Sequence, residues 1–170
     1  MRTIYLNAGT MVHFAHSASN DEEPVFAEGM AIIVEGNSIK SIQNSLTLAD
    51  EYSIPSDVSH FQHEDVHVHD LQGQAIVPGL IDGHTHLLWA GDRSKEVAWR
   101  QEGKTYAEIS SMGGGIGHTV SQTRAASSDQ LLELGYLRLR DALRTGTTHL
   151  EAKTGYGLTT ESELRLLDIA

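Results

Sequence analysis

The pattern of apolar and polar positions changes near residue 76 of this 170-residue chain. Before that point, short runs alternate between apolar and polar side chains, a period of two that is typical of β-strands with one buried face. We expect antiparallel pairing here, with a hairpin turn at Glu35-Gly36-Asn37-Ser38, because Gly and Asn tolerate the positive φ of tight turns. Residues 16–24 are polar and predict a loop. The predicted strands cover residues 3–12, 30–35, 39–42, 66–71 and 75–81.

Helical patterns dominate the rest of the chain. Residues 95–101 and 105–111 predict two short helices, and the run Gly113-Gly114-Gly115 interrupts them. A further helix is predicted from Ser162 onward, because Thr160 and Glu163 before and within it have the spacing of a capping box.

One longer helix lies between these segments. It begins near Ser127, which has capping-box spacing to Gln130, and it ends at Gly146, a residue that suits the position after a helix. A strand over residues 147–153 follows it. The helix carries one apolar stripe at helical spacing, formed by Leu132, Tyr136, Leu139 and Leu143.

The order strand, helix, strand, helix predicts a parallel sheet with crossover helices. Active sites of such sheets and barrels lie at the carboxyl ends of the strands. Polar side chains follow both predicted strands at that point: His84, His86 and Arg93 after the first, and Lys153 and Tyr156 after the second. The fold class is therefore α/β, and a site is expected at this edge.

His84 and His86 come directly after the apolar run at residues 75–81. Successive side chains of a strand point to opposite faces, so positions i and i+2 share one face. Two imidazoles side by side suit a divalent metal, with nitrogen donors about 2.0–2.1 Å from zinc. A surface strand that merely carries two histidines is the alternative.

Composition narrows the possible functions. The formal net charge is −11, which argues against nucleic acid or an anionic membrane as a partner, because both select basic surfaces. The absence of cysteine excludes disulfides and thiolate ligands, so any metal site must use His, Asp or Glu. Residues 1–20 contain no apolar run of signal-peptide length, and no run approaches the length of a membrane helix. A cytoplasmic protein is the expectation.

Four segments of the chain are specific enough to compare with known families. They are Ala75-Ile76-Val77-Pro78-Gly79-Leu80-Ile81-Asp82-Gly83, the directly following His84-Thr85-His86-Leu87-Leu88-Trp89-Ala90-Gly91-Asp92-Arg93, then Gly113-Gly114-Gly115-Ile116 with Thr119-Val120 and Thr123-Arg124, and Glu151-Ala152-Lys153-Thr154-Gly155-Tyr156-Gly157-Leu158. In this order they resemble the imidazolonepropionase family of the metal-dependent amidohydrolase superfamily. The resemblance covers essentially the whole chain and is strongest from residue 76 onward.

This resemblance implies a (β/α)8 TIM barrel flanked by a small β-sandwich. Residues 1–76 would form the N-terminal part of the sandwich domain, and residues 77–170 the first two βα units of the barrel. Such a barrel needs about 250 residues. We therefore expect an incomplete barrel and an N-terminal portion of a longer enzyme.

The resemblance also implies a reaction and roles for four residues. The reaction is metal-dependent hydrolysis of the cyclic amide of 4-imidazolone-5-propanoate, a small-molecule substrate, to N-formimidoyl-L-glutamate in histidine degradation. His84 and His86 would bind one zinc or iron ion, Arg93 would bind the substrate carboxylate and Tyr156 would offer it a hydroxyl. No catalytic residue is expected in this chain, because the general-base Asp and the remaining ligands would lie beyond residue 170. The resemblance also implies a homodimer, because members of the family are commonly dimers.

Two other functions stay open. The chain could belong to a different cyclic-amide hydrolase or deaminase of the same superfamily, or it could be a catalytically inactive metal-binding fragment. Among single residues, Asp82 either orients a ligand histidine or caps a backbone turn. His67 and His69 are expected on a solvent-facing sheet edge, and Lys153 is expected to be structural rather than a carbamylated metal bridge.

Overall fold

The computed structural model describes residues 1–14 and 23–170, so most of the predicted loop at residues 16–24 lies outside the described residues. The chain divides into two compact units, Met1–Pro78 and Gly79–Ala170. The sequence pattern places the division after residue 76.

The described residues of the N-terminal unit form a four-stranded sheet, one short α-helix and one turn of 3-10 helix. The elements are β1 Arg2–Phe14, β2 Pro24–Glu35, β3 Ser38–Asn44, α1 Ser45–Glu51, the 3-10 turn Val58–His60, and β4 Val66–Asp70. The strand order is β3-β2-β1-β4; β2 runs antiparallel to both β1 and β3 as expected, whereas β4 runs parallel to β1. The predicted hairpin turn is confirmed, with Gly36 at φ +58° between β2 and β3.

Alternation along β1 and β2 builds the core of this unit. Ile4 and Leu6 on β1, and Ala31 and Ile33 on β2, point to one face and are buried there, as the period-two pattern requires. Leu48 of α1 is fully buried against that face. The helix is capped by Asn44, whose side chain accepts from the backbone N–H groups of its first turn. The remaining members of this cluster are Ile54 and Val66.

The prediction of one strand over residues 75–81 is wrong, because Pro78 divides the run. Ile76 joins the first unit: its backbone N–H donates to Thr10 O, and Val12 N–H donates to Ile76 O, both at 2.9 Å. A new strand, β5 (Leu80–Thr85), begins only after Pro78 and Gly79. Proline has no N–H to donate to a ladder, so one strand cannot continue through it.

The second unit has the predicted alternation of strands and helices. Its two strands are parallel neighbours, with Leu80 opposite Thr147 and Thr85 opposite Ala152. The elements are β5 Leu80–Thr85, α2 Lys95–Gln101, α3 Tyr106–Ser111, α4 Gly115–Ala125, α5 Ser128–Arg144, β6 Thr147–Ala152 and α6 Thr160–Ile169.

The glycine run separates two helices, as expected: α3 ends at Ser111 and α4 begins at Gly115, which lies at φ +68°. The helix α4 itself was not predicted, and the cap of the last helix needs correction. The cap of α6 is Thr159 rather than Thr160, and it accepts from Ser162 N–H. The capping box of α5 is confirmed, with Ser127 and Gln130 each bonding the other's backbone.

The helix α5 buries a different face from its predicted stripe. Leu131 is fully buried, whereas the predicted stripe residue beside it, Leu132, is 43% exposed. A Cβ on Gly135 would lie 2.7 Å from Leu88 Cδ2, so this glycine lets the helix backbone approach Leu88 and sets which face is buried. The second core consists of Leu87, Leu88, Ala90, Leu131 and Leu166.

The two-stranded sheet leaves apolar strand residues uncovered. Ile81 is 76% exposed and Leu80 is 55% exposed in the described structure. None of the described helices has both the length and the apolar character needed to cross a lipid bilayer.

Leu131→Ala should destabilise the second unit by about 3 kcal/mol, because it removes a fully buried side chain and leaves a cavity. Leu132→Ala, the next residue on the same helix, should cost less than about 1 kcal/mol. Urea unfolding followed by tryptophan fluorescence measures this unit alone, since Trp89 and Trp99 both lie in it. Equal midpoints for the two variants would contradict the described core.

Candidate metal and substrate site

Two histidines stand at the carboxyl end of β5. The ring centroids of His84 and His86 are 5.5 Å apart, and the ring planes are almost perpendicular at 89°. The backbone N–H of His84 donates to Asp82 Oδ1 at 3.0 Å, so the described contact of Asp82 is with a backbone turn and not with a ligand ring. The end of β5 therefore presents two nitrogen donors close together.

His86 is enclosed by the loop that follows β6. Its Nδ1 is buried and has no hydrogen-bond partner among the described residues. The Tyr156 ring centroid lies 5.0 Å from its own, and a Cβ on Gly155 would lie only 2.6 Å from its Cε1. A glycine is thus needed where the loop lies against the ring. A buried nitrogen left without a partner costs about 1–3 kcal/mol, a cost that a bound cation would remove.

Trp89 extends this aromatic cluster. Its ring centroid is 6.5 Å from that of Tyr156, at an interplanar angle of 61°. The guanidinium carbon of Arg138, from α5, lies 3.8 Å from the Trp89 ring centroid, and Arg138 Nη1 donates to Leu87 O at 2.7 Å. A cation over the ring face is attracted to it, so Arg138 fixes the position of Trp89. Burial lowers the pKa of Arg138 below its ordinary value.

Arg93 follows in the loop between β5 and α2, where it pairs with Glu96. Its Nε donates to Glu96 Oε1 and its Nη2 donates to Glu96 Oε2, each at 2.7 Å. The backbone N–H of Gly115 also donates to Glu96 Oε1, at 2.6 Å. The Arg93 hydrogen bonds, followed by the one from Gly115, lower the pKa of Glu96 to about 2.

The same pair raises the pKa of Arg93 above its ordinary value. The hydrogen bond to Glu96 is the largest cause, and Tyr106 and Tyr156 add smaller electrostatic contributions to the raised pKa. Tyr156 is therefore linked to both parts of the candidate site, by ring contact with His86 and by its small electrostatic effect on the pKa of Arg93.

The other predicted residues have no described contact with this cluster. Lys153 is exposed and contributes its backbone N–H to Thr85 O at 2.8 Å. His67 and His69 are exposed on β4, an edge strand of the N-terminal unit, where His69 stacks on Tyr5. Among the described residues, no group of three or more His, Asp or Glu side chains is close enough to hold a metal ion.

Sequence reasoning missed three residues that the structure adds to the cluster. Glu96 was detectable, because it stands three residues after Arg93 at the start of a predicted helix, a spacing that favours ion pairs. Trp89 lies in the stretch that carries the family resemblance but has no pattern that indicates a role. Tyr106 follows the cap residue Thr105, and its electrostatic effect on the pKa of Arg93 arises only in the folded chain.

No family model matches the chain. Imidazolonepropionase from Aeromonas hydrophila is 51% identical over 104 residues, which are 61% of this chain and 25% of that protein. A probable imidazolonepropionase from Dictyostelium discoideum is 36% identical over 155 residues, 85% of this chain and 36% of that protein. This chain is a homologue of the imidazolonepropionases. It spans about a quarter to a third of the length of these curated relatives.

Among solved structures, the match to guanine deaminase from E. coli covers 99% of the present chain and 34% of the deaminase chain, with a TM-score of 0.54 and 17% sequence identity. At that identity the match shows the fold alone. It confirms the mixed α/β arrangement, in which a β-sheet comes first and helices follow. A closed barrel is not visible in the described residues, which contain only the two parallel strands β5 and β6 of such a sheet.

Glu96→Gln should flatten the acid side of the pH-stability profile of the second unit. The folded-state pKa of about 2 is below the ordinary 4.5, so the unfolded chain takes up this proton first as pH falls. The contribution of ionised Glu96 to the free energy of unfolding is thus complete above about pH 4.5 and is lost as pH falls towards 2.

Urea midpoints from tryptophan fluorescence, taken across that pH window, measure the effect. The wild-type midpoint should fall more steeply than that of Glu96→Gln. Glu102→Gln, which removes an exposed carboxylate at the end of the same helix, should keep the wild-type slope. Parallel profiles for wild type and Glu96→Gln would contradict the described ion pair.

Proposed function

We propose that this chain supplies two metal ligands and part of the substrate-binding surface of an enzyme that hydrolyses 4-imidazolone-5-propanoate. One observation carries the proposal: His84 and His86 end one parallel strand, and the loop after the neighbouring strand brings Tyr156 against them. The identity of about 50% to imidazolonepropionases supports the substrate.

The residues present fit a metal ion that also takes ligands from elsewhere. His84 and His86 would hold it, and the buried Nδ1 of His86, which has no partner within residues 1–14 and 23–170, fits a ring whose partner is a metal ion. Zinc or iron both accept imidazole together with carboxylate. When bound, such an ion polarises a carbonyl oxygen and lowers the pKa of water. The further ligands and the general base would come from residues outside this chain.

Arg93 and Tyr156 would orient the substrate. Glu96 occupies the Nε–Nη2 edge of the Arg93 guanidinium, which leaves the Nη1–Nη2 edge to receive a carboxylate. Two parallel N–H···O bonds from one guanidinium edge suit a carboxylate in geometry and charge. The propanoate arm of the substrate provides that carboxylate, and the Tyr156 hydroxyl would meet the ring.

The reaction balances as a simple hydrolysis. The oxygen of water forms a bond to the ring carbonyl carbon, the adjacent C–N bond breaks, and the leaving nitrogen takes up a proton. The new carboxylate and the original propanoate become the two carboxylates of N-formimidoyl-L-glutamate. Nothing is oxidised or reduced.

The architecture we propose for the whole enzyme is a (β/α)8 barrel. β5 and β6 with their helices would be its first two units, and the sheet of the N-terminal unit would be part of a β-sandwich. A barrel of this kind needs about 250 residues, and further strands would cover the exposed Leu80 and Ile81. We expect such an enzyme to act in the cytoplasm on a small soluble substrate, as a homodimer.

His84→Ala in the complete enzyme should lower bound metal by more than about tenfold and abolish ring opening, because it removes a direct ligand. His67→Ala, from the other His-x-His pair on the edge strand β4, is the matched control and should change neither. Metal analysis by mass spectrometry and loss of the imidazolone absorbance measure the two effects. Stoichiometric metal in His84→Ala would overturn the ligand assignment.

The isolated 170-residue chain should open no imidazolone ring, because two ligands without a general base do not complete the site. Turnover by the isolated chain would refute the division of the site between this chain and residues outside it.

A different result would favour the deaminase alternative: a complete enzyme that released ammonia from an aminopurine but left 4-imidazolone-5-propanoate unchanged.

A further inference from the structure

Glu96 is the one charged residue in the described part of the chain that is buried, at 4% exposure. It lies in the first turn of α2, a short helix whose other described residues are exposed or half-buried. Burying a carboxylate costs free energy unless it is paired and hydrogen-bonded. Glu96 meets that requirement through Arg93 and Gly115 and lies 3.7 Å from Arg100.

The pair with Arg93 removes the freedom of a long side chain. Both carboxylate oxygens engage adjacent nitrogens of the guanidinium, so the plane of the group is fixed by two bonds of 2.7 Å. An arginine that is already ordered loses less entropy when it binds an anion. The Nη1–Nη2 edge of the guanidinium, which Glu96 does not occupy, therefore points in a defined direction.

The glycine run explains how Glu96 is held in place. A Cβ on Gly114 would lie 2.9 Å from Glu96 Oε1, and one on Gly115 would lie 3.3 Å from the Tyr106 hydroxyl oxygen. Side chains at these positions would push the backbone away from the carboxylate and from Tyr106. The run thus lets the first turn of α4 close on Glu96, and Gly115 N–H completes its hydrogen bonds.

We propose that Glu96 is a positioning residue, which together with the glycine run Gly113-Gly114-Gly115 holds the Arg93 guanidinium in the orientation that receives the substrate carboxylate. This inference rests on the proposed function, because it assumes that Arg93 binds the propanoate arm. Glu96 itself touches no substrate. Its effect passes through Arg93 alone.

Two unreactive ligands distinguish a role of Glu96 in positioning Arg93 from a role in stabilising the folded chain. Imidazole-4-propanoate carries the carboxylate, whereas 4-propylimidazole has a similar ring and arm without it. In the complete metal-loaded enzyme, Glu96→Gln should weaken the binding of imidazole-4-propanoate about tenfold, because the charge-assisted contact that orients Arg93 is lost. The affinity for 4-propylimidazole should stay unchanged. Isothermal titration calorimetry measures both affinities.

Two further variants sharpen the comparison. Glu35→Gln breaks another Arg–Glu pair, the more exposed one with Arg2 in the N-terminal unit, and should leave both affinities unchanged. In an Arg93→Lys background, Glu96→Gln should add no further loss for imidazole-4-propanoate, because the two residues act as one unit. An additive loss, or equal losses for the two probes, would overturn the proposal.

A measurement on the unmutated protein covers the case in which Glu96→Gln fails to fold. The Nε–H signal of Arg93, assigned by its disappearance in Arg93→Lys, should exchange with water far more slowly than that of the exposed Arg140. Equal exchange rates would overturn the proposal. Failure of the proposed function has a different signature: the wild-type complete enzyme would open no imidazolone ring, whatever the binding ratio of the two probes.

Discussion

The parallel pairing of β5 with β6 is the constraint on which the candidate site depends. Because the two strands run in the same direction, their carboxyl ends meet at one edge, and the loops that follow them lie side by side. His84 and His86 leave one strand there, and the loop with Gly155 and Tyr156 leaves the other. An antiparallel pair would send these two loops to opposite ends of the sheet. The contact of Tyr156 with His86, at 5.0 Å between ring centroids, follows from the register.

Local chemistry made much of this fold predictable. The hairpin turn at Gly36, the α2 segment Lys95–Gln101 and the Ser127 capping box of α5 are confirmed, since each depends on residues close together in the chain. Two predictions failed for different reasons. The periodicity of the apolar run at residues 75–81 predicts one strand, but Pro78 within the run interrupts the ladder. The buried face of α5 depends on Gly135, which lets Leu88 approach from a distant part of the chain.

Part of the candidate site could also be predicted from the sequence. The histidine pair follows from its spacing and its place after an apolar run, and Arg93 and Tyr156 follow from the family resemblance. Their roles remain predictions. The burial of Glu96 could not be predicted from the sequence, because a glutamate on a short helix is ordinarily solvated. Its partner on α4, the Gly115 N–H, lies 19 residues away, and only the folded glycine run brings it within 2.6 Å.

The central claim is that His84 and His86 are part of a single metal site completed by residues outside this chain. An anomalous difference map of the complete enzyme, recorded at the absorption edge of its metal, tests this most directly. The account predicts one strong peak, about 2.0–2.1 Å from a ring nitrogen of His84 and of His86 if the metal is zinc. It also predicts further protein ligands that do not belong to residues 1–170. A peak at His67 and His69, or none beside His84 and His86, would contradict it.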